Sequence, residues 1–237
     1  MSNPLEALQA RLQAVRERMA TAARAAGRDP AGISLVAVSK TFPADAVAAA
    51  RAAGQAAFGE NYVQEAVDKM EALRPRRGEL EWHFIGPIQS NKTRAIAERF
   101  DWVQSVDRLK IAQRLSEQRP PDLAPLNVLL QVNISGEASK SGVAPADVET
   151  LARQVGQLPR LKLRGLMAIP EPDADAARQR APLAALRVLF ERLRAAGFAI
   201  DTLSMGMSAD LESAVLEGST MVRIGTAIFG ERERKHP

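Results

Sequence analysis

Eight short apolar runs recur along this chain, and a helical pattern separates each from the next. β-Branched and aromatic residues over 34–39, 56–58, 82–85, 102–106, 127–134, 161–169, 202–205 and 220–224 predict strands. Helices are predicted over 43–53, from 61 to about 73, and over 91–100, 108–117, 145–157, 173–196 and 209–217. Gly54, Pro75, Gly78 and Gly197 act as stops. Strands alternating with helices pair in parallel through right-handed crossovers. Eight is a number that closes a sheet on itself, so the expected fold is an α/β TIM (β/α)8 barrel. The 237 residues suit one such barrel of roughly 250. An open doubly wound sheet is the alternative. No Gly-x-Gly-x-x-Gly follows the first strand, which weighs against a dinucleotide-binding version of it. No linker or compositional shift divides the chain, so a single domain is expected over 1–237. An N-terminal helix lies within 1–30, with Leu5, Leu8, Leu12, Val15 and Met19 at helical spacing, and 231–237 forms a tail.

Composition removes several kinds of chemistry. Without cysteine there is no disulfide framework, thiolate metal site or cysteine nucleophile. The two histidines, His83 and His236, do not suffice for a multi-histidine metal centre, so no metal is expected. The net charge is +4, from 25 Arg and seven Lys against 28 acidic residues. The arginines are interleaved with Asp and Glu, and aromatics are only 4%, which leaves little for base stacking. No nucleic-acid partner is expected. The first 19 residues contain no continuous apolar stretch, and no apolar run approaches 18 residues. A soluble, cytoplasmic protein without membrane contact is the expectation.

Sites in such barrels lie at the C-terminal ends of the strands. The first strand runs into Ser39-Lys40-Thr41. Partial burial there disfavours an ammonium, and the free amine can attack a carbonyl; the plainer reading is a lysine reaching solvent. Asn61 follows the second strand as either a helix cap or a ligand contact. His83, in the third, reads as a satisfied interior group. Met167 ends the sixth, either lining a planar ligand or packing in the core. The polar loop over 135–142 carries Lys140, as a lid or as a surface connection. The seventh and eighth strands run into Ser204-Met205-Gly206-Met207-Ser208 and Arg223-Ile224-Gly225-Thr226. Ser204, Ser208, Gly225 and Thr226 can form a phosphate cradle of backbone N–H groups and hydroxyls, or be ordinary turns. An activatable lysine close to a phosphate cradle suits an aldehyde that carries a phosphate, and pyridoxal 5′-phosphate is one.

Six stretches also resemble one family in order along the chain. They are Val38-Ser39-Lys40-Thr41, Gly59-Glu60-Asn61-Tyr62-Val63-Gln64-Glu65, the run from Trp82-His83-Phe84-Ile85-Gly86-Pro87 to Ile88-Gln89-Ser90-Asn91-Lys92, Ser139-Lys140-Ser141-Gly142, Leu203-Ser204-Met205-Gly206-Met207-Ser208 and Val222-Arg223-Ile224-Gly225-Thr226. The chain is similar to the pyridoxal-phosphate homeostasis proteins. The resemblance implies a modified barrel like the alanine racemase N-terminal domain, with pyridoxal phosphate held as a Schiff base on Lys40. It places the phosphate on Ser204, Gly225 and Thr226, with Ser208 beside them, Arg223 at the pyridine nitrogen, and Asn61 and Met167 beside the ring. Phe42 stands where many members have a second lysine, and the tail has only Lys235. The implied role is non-catalytic: a monomer that stores pyridoxal phosphate or delivers it to apo-enzymes, with Lys140 marking an open question of a second site. An arginine has only donors, so facing the ring nitrogen it leaves that nitrogen unprotonated and the ring a weaker electron sink. A pyridoxal-phosphate-dependent amino-acid racemase is the alternative. It needs acids or bases on both faces of the substrate carbon, and Tyr62 is the chain's only tyrosine.

Overall fold

The computed structural model describes residues 4–136, 141–171, 173 and 175–231. Lys140, Lys235 and His236 lie outside the described residues. Eight strands form one closed barrel in sequence order: β1 (Ser34–Val38), β2 (Ala57–Glu60), β3 (Glu81–Phe84), β4 (Trp102–Val106), β5 (Leu126–Gln131), β6 (Leu161–Met167), β7 (Thr202–Ser204) and β8 (Met221–Ile224). Every pairing is parallel, and β8 closes on β1 with Ala37 opposite Ile224. A helix α1 (Pro4–Ala25) precedes the barrel. After the successive strands come α2 (Ala44–Ala52), α3 (Val63–Ala72), α4 (Thr93–Arg99), α5 (Leu109–Gln118), α6 (Val148–Gly156), α7 (Ala176–Ala195), α8 (Leu211–Leu216) and α9 (Thr226–Phe229).

The strands are apolar on both faces because both faces are covered. On β8, Val222 and Ile224 join the large layer between sheet and helices, while Met221 and Arg223 alternate with them and point inward. On β3, Trp82 and Phe84 face that layer and His83 faces in. The interior packs Val36, Trp102, Leu129, Met167 and Met221 together. Helix α1 buries Leu8, Leu12, Val15 and Met19 against α8 and α9, and Arg18 pairs with Glu212.

Two predicted strands, the fifth and the sixth, overrun the end of the observed strand by more than one residue. The fifth stops at Gln131 because the chain doubles back on itself: Val143 N–H donates to Gln131 O, and Asn133 N–H donates to Val143 O. The sixth stops at Met167, and Ile169 beyond it is exposed at the barrel mouth. In both cases hydrophobicity continues past the last ladder bond.

Candidate functional site

Lys40 is half-buried directly after β1, on a turn held by a buried ionic cluster. Ser39 Oγ donates to Glu60 Oε1 at 2.6 Å. Lys69 Nζ, from α3, donates to Ser39 O at 2.8 Å, Glu60 Oε1 at 2.8 Å and Glu65 Oε1 at 2.6 Å. Glu65 Oε1 also takes the Thr41 N–H at 2.5 Å. Thr41 has φ 70°, a left-handed conformation that a β-branched residue adopts only when its surroundings impose it. Burial pushes the Glu60 carboxyl above the usual carboxylate range, against the pull of Lys69.

The turn after β8 lies against the end of β1. A Cβ on Gly225 would stand 3.3 Å from Val38 O, so a bulkier backbone neighbour would push the two apart. Thr226 is exposed at the start of α9, where the first N–H groups have no intrahelical acceptor. Lys40, Gly225 and Thr226 are thereby brought to one side of the mouth.

Arg223 lies just beneath them, buried. Its Nη1 donates to Ser204 Oγ at 2.5 Å and its Nη2 to Ala168 O at 2.9 Å. Burial lowers its pKa to about 10, opposed by through-space attraction to Asp210. Asp210 in turn accepts the Met207 N–H and shapes the loop after β7. Gly206 in that loop has φ 99° and hands its carbonyl to Arg223 N–H.

Ser204 is not at the rim with the cradle. Its hydroxyl is buried, accepts from Arg223 and donates to Gln104 Oε1 at 2.7 Å. Ser208 is half-buried at the loop, and its carbonyl takes Arg18 Nη2. Met167 is fully buried in the interior cluster. Asn61 caps no helix; Tyr62 occupies that position, and no side chain bonds the start of α3. Asn61 Oδ1 is buried without a hydrogen-bond partner. The residue lines a cavity of about 440 Å³ with Ile85, Pro87, Gln131, Ile169 and Met207. His83 is the satisfied interior group its strand position suggests, bonded to Gln104 and Glu81. Sequence reasoning missed Glu60, Lys69 and Gln104. Two left a signal: a polar residue inside an apolar strand at Gln104, and a Glu65–Lys69 pair at helical spacing; Glu60 lies beyond the predicted strand over 56–58 and left none.

A parallel barrel with an amine and a buried arginine at its C-terminal mouth fits a known class of cofactor-binding domains. Residues 10–233 match the family model described as the alanine racemase N-terminal domain. A pyridoxal phosphate homeostasis protein of Pseudomonas aeruginosa is 64% identical over 223 residues, covering 94% of this chain and 95% of that one. One from Escherichia coli is 56% identical over 223 residues, with the same coverage of 94% and 95%. The structure of PipY from Synechococcus elongatus, solved with pyridoxal phosphate bound, matches with a TM-score of 0.80 at 38% identity. That match covers 91% of this chain and 100% of PipY. The chain belongs to the alanine racemase N-terminal-domain family, among its pyridoxal phosphate homeostasis proteins. Among the described residues, no helix is long and apolar enough to cross a membrane.

Proposed function

We propose that this protein binds pyridoxal 5′-phosphate on Lys40 and serves vitamin B6 balance as a non-catalytic holder that stores the cofactor or passes it to apo-enzymes. The observation that carries this reading is the placement of Lys40 beside the β8 turn and above a buried arginine. The names of the relatives and the cofactor in PipY support it.

Bound there, the cofactor supplies an aldehyde that condenses reversibly with a primary amine. Lys40 Nζ is the amine. The N–H groups of the Gly225-Thr226 turn and the hydroxyls of Thr226 and Ser208 take the phosphate. Ser204 contributes indirectly, because its hydroxyl is already committed to Arg223 and Gln104. Asn61, whose Oδ1 is buried without a partner, would stand beside the ring. Arg223 would face the ring nitrogen. With a pKa of about 10 it is still a cation and a donor at neutral pH, so it would hold that nitrogen unprotonated. Such a site binds the aldehyde without strengthening the ring as an electron sink, which favours holding over catalysis. Tyr62, the racemase alternative's candidate base, is 56% exposed.

Borohydride reduction of the loaded protein, followed by peptide mapping, is expected to leave a pyridoxyl group on Lys40. A label on another residue would overturn the assignment. Racemisation of any L-amino acid in a panel read by chiral chromatography would overturn the non-catalytic reading. The delivery step is tested by mixing loaded protein with an apo-enzyme; activation no faster than by free cofactor refutes it.

A further inference from the structure

We propose that Gln104 and His83 are positioning residues for Arg223, and that His83 fills this role only as the neutral tautomer protonated on Nε2. The inference rests on the reading that Arg223 faces the cofactor, and its first test does not require cofactor.

The interior polar side chains form one hydrogen-bonded chain through the depth of the barrel. Arg223 can only donate, so Ser204 Oγ, at 2.5 Å, accepts. The Ser204 hydroxyl proton goes to Gln104 Oε1 at 2.7 Å. With its carbonyl turned to Ser204, Gln104 presents its amino group to His83 Nδ1 at 2.9 Å and Met221 Sδ at 3.2 Å. An amide N–H only donates, so Nδ1 must carry the lone pair. The ring proton then lies on Nε2, which donates to Glu81 Oε1 at 2.8 Å. The His83 hydrogen bond is also the main cause holding the Glu81 carboxyl below the usual carboxylate range.

All the links therefore point the same way, from a cation near one mouth to a carboxylate at the other. Glu81 opens β3, and its side chain is 48% exposed at the far end. Aligned donors polarise one another, and this reinforces each bond. The arrangement also explains how a buried guanidinium persists with a hydroxyl and a carbonyl, rather than a carboxylate, as its hydrogen-bonded partners. Through-space attraction to Asp210 offsets part of the cost of burial, and the remaining donors of the arginine are left to act on a ligand. The other groups around His83 are the Trp102 ring, stacked at 5.3 Å, and Arg164, lying 4.7 Å over that ring.

A proton on Nδ1, in the other tautomer or the imidazolium, would meet the Gln104 amino group. The amide must then turn over and present N–H to Ser204. The Ser204 hydroxyl would lose its acceptor in a fully buried position, and the seat of Arg223 would loosen.

Long-range proton–nitrogen NMR on the ¹⁵N-histidine-labelled, cofactor-free protein tests the tautomer directly. His83 is expected to show an unprotonated Nδ1 and a protonated Nε2; a protonated Nδ1 overturns the inference. Gln104→Glu replaces the donor with an acceptor and is expected to move a proton onto Nδ1. In the loaded protein the same change is expected to shift the absorbance maximum of the bound chromophore and weaken cofactor binding about tenfold. An unaltered spectrum and affinity would refute the positioning role. If that variant does not fold, Glu81→Ala at the exposed end carries the test. It is expected to mix the two tautomers and to shift the absorbance maximum of the bound chromophore, and failure to do either refutes the relay. Loss of cofactor binding by the unmodified protein would instead sink the functional reading while leaving the NMR result intact.

Discussion

Replacing Lys69 by Met keeps most of the aliphatic stem and removes the ammonium that Glu60 and Glu65 share. The Lys69 side chain is 6% exposed and that of Glu60 0%, so this is a buried pair. Removing one partner of such a pair costs about 3–5 kcal/mol, because the other charge is left uncompensated. Two features reduce the figure here. Glu65 is partly exposed and resolvates, and Glu60 keeps the Ser39 hydroxyl as a donor. A loss of about 3 kcal/mol at pH 8 is therefore expected. For a chain of this size that corresponds to a fall in Tm of about 6–12 °C. The pH dependence has a definite sign. The Glu60 carboxyl is already pushed up by burial. A carboxyl whose folded pKa is raised favours the folded state fully below its unfolded pKa, and that contribution is lost as pH rises through the folded pKa. Without Lys69 the folded pKa rises further, so the variant is hurt more at pH 8 than at pH 5. Urea unfolding at both values measures this, provided the denaturant slope stays constant. A loss below about 1 kcal/mol, or the same loss at both pH values, would refute the buried-pair account. Adding Glu60→Gln to Lys69→Met is expected to recover much of the loss at pH 8, as coupling between contacting residues requires.

Other perturbations separate the site's parts. Lys40→Ala is expected to abolish the covalent chromophore while equilibrium dialysis still detects weak, phosphate-competed binding of the cofactor. Arg223→Gln is expected to shift the titration of the bound chromophore rather than abolish binding, read by absorbance against pH. Gly206→Ala puts a side chain at φ 99° with its Cβ 2.5 Å from that of Ala214. It is expected to destabilise by about 2 kcal/mol or more, measured as a lower unfolding midpoint.

The barrel was legible because its evidence is periodic and repeated. Alternation of strand and helix needs only local pattern, and the order in which strands pair follows from short right-handed crossovers. The rim residues Lys40, Gly225 and Thr226 were legible for the same reason, since each sits at the end of a recognisable strand. What lay below the rim was not. Gln104 stands out as polar within an apolar strand, but its partners His83 and Ser204 are 21 and 100 residues away. Those pairings exist only once the barrel closes. The Thr41 conformation was equally hidden: its left-handed backbone is imposed by Glu65, 24 positions further on, and nothing local to threonine favours it. Strand ends were misjudged where apolar residues such as Ile134 and Ile169 continue past the last ladder bond.

Among the described residues, Lys40 and Lys69 meet at the turn after β1, and on the proposed function only Lys40 is to capture a carbonyl. Attack requires a nitrogen lone pair. Lys69 Nζ has three acceptors within 2.8 Å, one for each N–H of an ammonium. Giving up a proton would leave one of these buried oxygens unsatisfied and separate a matched pair of charges. Lys69 is thereby committed to structure, and it fixes the turn that carries Lys40. The same cluster that fixes the turn of the proposed amine is itself fully engaged in hydrogen bonds. This gives reductive labelling an internal control, because Lys69 sits one hydrogen bond from Ser39, the residue before Lys40, and is expected to remain unlabelled. Label shared between the two lysines would mean that proximity alone governs capture, and the division of roles drawn from the hydrogen bonds would fail.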